Sequence, residues 1–344
     1  MIERSRPRAV SELETMLAEI KTLAQTSRDS DLIQDLVVTL HKFATEKSDR
    51  GDLKIISRAF RELRYAFKVF APYRHIRKVT AFGSARTTET DPAYAQAVAF
   101  ARAMTQHGYM VITGAGDGIM RGAQEGAGRE HSFGVNIELP FEQAANPVIH
   151  EDPKLIDCKY FFTRKLIFVK ESHALALFPG GWGTMDEGFE VLTLQQTGKS
   201  APVPIVFVDA PGGTYWEEWR EYNASHLLQR GLISPADMNL FCITDRPEAA
   251  VEEIVAFYKN YHSSRYVRER LVFRLNQPVP DSLLRDLNRD FADILDGGAF
   301  EQGAALPEER NEPTLIQLPR LLFQYNRKNF GRLRQLIDTL NRAY

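Results

Sequence analysis

The chain has 344 residues, which at roughly 150 residues per domain predicts two or three domains, and its 44% hydrophobic content suffices for a sizeable core. A formal net charge of −2 gives no global pull toward nucleic acid or an anionic membrane, so neither is expected as a partner. Two cysteines, Cys158 and Cys242, cannot frame a disulfide scaffold, the opening MIERSRPRAV lacks a signal-peptide core, and apolar runs such as Ala174–Phe178 fall far short of a membrane span; a cytoplasmic protein is expected.

Residues 1–73 read as a helical region. Val10, Leu13, Leu17, Ile20 and Leu23 recur at helical spacing behind a possible Ser11/Glu14 capping box. A second run carries Leu32, Leu36, Leu40 and Phe43, and a third Leu53, Ile56, Phe60, Leu63 and Phe67. The third also carries a basic face, including Lys54, Arg58 and Arg61, whose plain reading is a solvated surface.

Residues 74–262 alternate strands and helices. Strand Val79–Phe82 ends in the turn Gly83-Ser84-Ala85-Arg86, and a helix follows from Asp91-Pro92 to Gly108. Strand Tyr109–Thr113 leads into Gly114-Ala115-Gly116-Asp117-Gly118 and a helix through Ala127. Strand Phe133–Leu139, helix Tyr160–Ser172, strand Ala174–Phe178, helix Thr184–Thr197 and strand Val203–Val208 continue the series. Helix Tyr215–Gln229, strand Leu240–Thr244 and helix Glu248–Tyr258 extend it. Apolar strands separated by helices predict an α/β fold, a Rossmann-like doubly wound parallel sheet. Residues 263–344 read as a small α+β module: Leu271–Leu275, helix Asp281–Leu295, a short strand near Phe300, Pro319–Tyr325 and a final helix from Phe330.

All three glycine-bearing turns follow strands, so they should meet at the sheet's carboxyl edge, where such folds bind ligands. A P-loop is excluded: Gly198-Lys199-Ser200 matches its end, but Thr193 stands where its first glycine belongs, and the segment closes a helix. A dinucleotide fingerprint is partial. It begins at Gly114 and Gly116 but meets Ile119 at the third position, with Glu138 as the acidic residue beyond.

The run Pro179-Gly180-Gly181-Trp182-Gly183-Thr184-Met185-Asp186-Glu187 says more. Closely spaced glycines opening a helix leave amides available to a phosphate. Thr184 and Glu187 also fit a plain capping box, and either reading stands at this point. Arg164 and Lys165 lie on the preceding helix, otherwise apolar, where charge is either surface decoration or cleft lining.

Taken together, Arg164-Lys165, Pro179-Gly180-Gly181-x-Gly183-Thr184-x-x-Glu187, Gly83-Ser84 and a second glycine turn resemble the LOG (Lonely guy) family of nucleoside 5′-monophosphate phosphoribohydrolases, a family long labelled lysine decarboxylase. The similarity covers roughly residues 76–210. It implies a Rossmann-like fold, a homodimer or higher homo-oligomer, no metal and no cofactor. It also implies hydrolysis of a nucleotide to free base and ribose 5-phosphate, with Arg164 and Glu187 catalytic. Gly180, Gly181, Gly183 and Thr184 would hold the phosphate and Lys165 would assist Arg164; Gly83, Ser84, Gly114 and Gly116 complete the site. Asp117 and Glu138 are candidates for ribose contacts and Met120 for the base pocket. AMP-like nucleotides and cytokinin riboside monophosphates are the substrate candidates. The alternatives are a nucleotide sensor or carrier without activity, and a pyridoxal-phosphate decarboxylase, which Ala174 disfavours where Ser172-His173 would need a following lysine.

Overall fold

The computed structural model describes residues 10–140 and 144–344; the stretch read above for a signal peptide lies almost wholly outside them. The chain divides into two compact units, 1–61 and 62–344. In the first, α1 (Val10–Thr26) and α2 (Ser30–Thr45) form a hairpin tied by Gln34 Nε2, which donates to the Ala24 carbonyl at 2.6 Å. Ser11 lies inside α1, so it does not cap that helix. α3 (Arg50–Phe70) begins in this unit and ends in the next.

The second unit is built on a seven-stranded sheet. Its strands are β1 (Lys78–Phe82), β2 (Met110–Thr113), β3 (Ser132–Ile137), β4 (Leu155–Cys158), β5 (Ala174–Leu177), β6 (Ile205–Val208) and β7 (Cys242–Thr244). They run in the order β4-β3-β2-β1-β5-β6-β7, every pair parallel. The central strands are buried along their whole length because helices cover both faces, which is why they read as continuous apolar runs. On one face α4 (Pro92–Gln106) and α9 (Pro247–Phe257) bring Phe100, Met104 and Ile254 against Val79, Val111 and Val206. On the other, α6 (Phe161–Glu171), α7 (Trp182–Gln196) and α8 (Tyr215–Tyr222) bring Ile167, Val191 and Trp216 against Ile112, Leu175 and Phe207. Strand order reverses about β1 and β5, and a crevice opens beyond their carboxyl ends. α5 (Ile119–Ala127) follows the second turn.

Residues from 261 onward add a four-stranded antiparallel sheet, β10-β11-β9-β8, from β8 (Tyr261–Val267), β9 (Arg270–Leu275), β10 (Glu301–Gly303) and β11 (Arg320–Phe323). α10 (Asp281–Asp290) is shorter than the expected helix and gives way to a 3₁₀ turn at Ala292–Ile294; α11 (Phe330–Arg342) closes the chain. Buried Glu309 joins the sheet to the preceding loop, accepting from Arg274 Nε at 2.9 Å and Arg320 Nε at 3.0 Å. Among the described residues no helix is long and apolar enough to cross a membrane.

Candidate active site

Backbone hydrogen bonds stitch the three glycine turns together. The Ser84 N–H donates to the Pro179 carbonyl at 3.1 Å, and the Ile119 N–H donates to the Ser84 carbonyl at 3.1 Å. The turns surround a cleft of about 650 Å³ at the β1/β5 crevice. The first turn contributes Gly83 and Ser84, and the second Gly114, Gly116 and Met120. The third contributes Gly181, Gly183, Thr184 and Glu187, and α6 contributes Arg164.

The geometry of the third turn excludes the capping box. α7 starts at Trp182 with Gly181 as its N-cap, and the Thr184 N–H donates to the Gly181 carbonyl at 3.0 Å. Thr184 is therefore the third helical residue and Glu187 lies in the second turn, so the two cannot form a capping box. A side chain at Gly181 or Gly183 would meet nothing within 4 Å, which leaves the first turn of the helix open. Among the described residues the Trp182 and Gly183 N–H groups find no backbone carbonyl, and they carry the positive end of the dipole, the arrangement that accepts an anion. Gly180 serves the packing instead. A Cβ there would overlap the Thr184 side chain and stand 2.9 Å from the Ser84 nitrogen.

Glu187 is buried, and among the described residues its Oε2 has no hydrogen-bond partner. Burial raises its pKa from 4.5 to about 7, against the pull of Lys165 and Arg164. The Arg164 Nε donates to the Val135 carbonyl at 2.9 Å, and the guanidinium lies over the Phe168 ring. Burial lowers its pKa, and the Glu187 charge opposes that shift. Lys165 turns away from the cleft. Its Nζ pairs with Asp186 at 3.0 Å and Glu190 at 2.7 Å, one position before and three after Glu187 on α7.

Four expected site residues, Lys165, Gly180, Asp117 and Glu138, do not line the cleft; Asp117 and Glu138 are exposed. Several lining residues escaped the sequence reading. Arg86 closes the first turn and, with Arg164, supplies the cations of the lining. Trp182, 94% exposed, and Phe161 flank the mouth. Asn136 donates to Asp157 at 3.0 Å from the end of β3. Only Arg86 had a legible signal, being the last residue of a strand-ending turn. A larger groove of about 810 Å³ lies between α6, α7 and β8, but it is lined mainly by apolar residues such as Leu166, Leu194 and Tyr258. It contains neither Glu187 nor any of the three glycine turns.

Residues 117–254 match a family model described as possible lysine decarboxylase, the label attached to the family whose motifs the sequence resembles. That match supports the family for the part of the domain holding Arg164 and the third turn. No protein of curated function matches the chain. A molybdenum cofactor binding protein from Rippkaea orientalis is similar over 53% of this chain and 95% of its own, at 21% identity and a TM-score of 0.37. The Moco carrier protein from Chlamydomonas reinhardtii is similar over 53% and 98%, at 19% identity and a TM-score of 0.36. DNA processing protein A from Helicobacter pylori is similar over 52% and 80%, at 15% identity and a TM-score of 0.34.

Proposed function

We propose that the cleft hydrolyses the N-glycosidic bond of a nucleoside 5′-monophosphate, releasing free base and ribose 5-phosphate. The observation that carries this reading is Glu187: a buried carboxyl group with an unpartnered oxygen, one turn into the helix whose open start suits a phosphate. The family match over 117–254 points to the same nucleotide chemistry.

In this mechanism the 5′-phosphate sits on the Gly181–Thr184 helix start, with Arg86 as its side-chain counter-charge. The sugar then extends toward Glu187. As the bond from C1′ to the base nitrogen lengthens, positive charge grows on the ribose ring, and a carboxylate beside it stabilises that charge. Glu187 takes a proton from water as the water oxygen bonds to C1′. The departing base nitrogen keeps the bonding electrons and takes up a proton from solvent, Glu187 afterwards returns its own proton to solvent, and the products are neutral base and ribose 5-phosphate. Arg164, held by Val135, orients the ribose and steadies the ionised Glu187.

The test is incubation of the chain with a panel of nucleoside monophosphates, including AMP and isopentenyl-adenosine monophosphate, followed by chromatography for free base. Base release that Glu187→Gln abolishes is the expected result. Tight binding without release from any member of the panel would instead assign a carrier.

A further inference from the structure

The helix that carries Arg164 does not cap itself. α6 has Tyr160 at its N-cap, and that side chain makes no capping hydrogen bond. The acceptor comes instead from another helix of the same unit. Glu62, in the second half of α3, accepts from the Lys159 N–H through Oε1 at 2.9 Å and from the Thr163 hydroxyl through Oε2 at 2.6 Å. Lys159 precedes the N-cap and Thr163 is the third residue of α6, so one carboxylate spans the helix start and ends one residue short of Arg164.

The arrangement is buried, with Glu62 5% and Thr163 1% exposed. A carboxylate in such a place is costly unless its oxygens are hydrogen-bonded, and here each oxygen has a donor beside the positive end of the α6 dipole. An apolar residue would fill the space without that cost but would leave the start of α6 unfixed. α3 also packs Ala66 and Phe70 into the core that holds Phe133 and Val135 of β3, and the Phe70 and Phe133 rings stack at 4.4 Å. Glu62 therefore ties the backbone of α6 to the frame whose Val135 carbonyl holds the Arg164 guanidinium. Without the carboxylate, the first turn of α6 shifts against β3 and takes Arg164 with it.

We propose that Glu62 is a positioning residue of the cleft, fixing the start of α6 from α3 and thereby aiming Arg164. Its kinetic consequence rests on the reading of the cleft given above; the placement of Arg164 is measurable without substrate.

Three variants of the full chain test it. Glu62→Ala removes both acceptors, and Thr163→Val keeps the shape but removes one donor. Glu62→Gln keeps both contacts, because the Thr163 hydroxyl, 2.9 Å from the Tyr160 carbonyl, can turn to donate there while accepting from the amide. The first readout is the Nε–H proton resonance of Arg164, identified as the signal missing from Arg164→Lys. Glu62→Ala and Thr163→Val should shift it and speed its exchange with water, and Glu62→Gln should leave it in place. The second readout is kcat/KM on the best nucleotide of the panel. Glu62→Ala should lose on the order of 100-fold, the cost of misplacing an orienting group by about 1 Å, and Glu62→Gln should stay within a few-fold of wild type. Added to Arg164→Lys, Glu62→Ala should cost little more, whereas an anchor that only stabilised the fold would cost the same factor in both backgrounds. An unchanged Arg164 signal in Glu62→Ala, or equal losses in the two backgrounds, overturns the proposal; if Glu62→Ala does not fold, the signal of Thr163→Val decides in its place. A shifted signal in a protein whose wild type releases no base from any nucleotide would uphold the role of Glu62 and overturn the reading of the cleft.

Discussion

The guanidinium of Arg164 occupies the space that a side chain at position 114 would need, so a Cβ on Gly114 would overlap Arg164 Nη2 and crowd the Met120 sulfur. The second turn therefore supplies room for Arg164, and the glycine matters because of what lies above it. Gly114→Ala should displace the guanidinium from its bond to Val135 while leaving the sheet intact. Misplacing an orienting group by about 1 Å costs on the order of 100-fold in rate. Steady-state kinetics with the best substrate of the panel should show that loss in kcat/KM, with an unchanged circular dichroism spectrum. Full activity in Gly114→Ala would remove Arg164 from the catalytic arrangement.

Glu187 predicts a stability that depends on pH. Its folded pKa of about 7 lies above its ordinary value of 4.5, so between those values the unfolded chain has lost a proton that the folded chain keeps. The protonated group adds no burden below pH 4.5. As pH rises through 7 the folded state is progressively destabilised, by on the order of 3 kcal/mol in total. Glu187→Gln removes this titration. Urea unfolding of the two proteins should give stabilities that converge near pH 4.5 and separate toward pH 8, with the variant the more stable; parallel curves would contradict the burial of the carboxyl group.

The same group sets the pH dependence of turnover. If the ionised carboxylate is the active form, kcat/KM rises with pH through about 7. Lys165 controls where that limb falls, because it lowers the Glu187 pKa and also neutralises Asp186 and Glu190, which raise it. Lys165→Met should therefore move the rising limb to higher pH. Its effect should be largest near neutrality and should shrink once Glu187 is ionised in both proteins. A limb that stays in place, with activity lowered equally at all pH values, would show that Lys165 acts by direct contact with substrate.

The parts of this architecture that were legible in the sequence are those set by local physics. Val79–Phe82 and Ala174–Phe178 stand out as apolar runs because helices cover both faces of the sheet. β4 was missed because it is a four-residue strand interrupted by exposed Asp157, and β8 because His262, Ser263, Ser264 and Arg265 are only half-buried and break any apolar alternation. At the site, the glycines announced the turns, whereas the role of Thr184 depended on where α7 begins, which Gly181 decides. Lys165 was read with Arg164 because the two are adjacent in sequence; on a helix adjacent residues face different ways, and the partners that hold Lys165 lie on α7. Trp182 carries no distinguishing pattern, since any residue type can occupy the position between such glycines.

Beyond the catalytic layer, Glu309 makes a prediction about the C-terminal sheet. Arg320, fully buried, and Arg274, nearly so, both direct their guanidinium groups at this carboxylate, and the Leu306 N–H donates to it at 3.1 Å. Burial alone would raise its pKa, but these hydrogen bonds outweigh burial and hold it below the ordinary value. Glu309→Gln keeps the shape and removes the charge, leaving two buried cations short of their shared anion. Breaking a buried pair in this way costs about 3–5 kcal/mol. Because the folded pKa is depressed, the stabilisation is complete above pH 4.5 and is lost as pH falls through the folded value. Denaturation followed by the fluorescence of the tyrosine-rich C-terminal core should show the variant several kcal/mol weaker at pH 7 and progressively closer to wild type below pH 4. A constant deficit across that range would mean that Glu309 holds the sheet through shape and hydrogen bonding rather than through its charge.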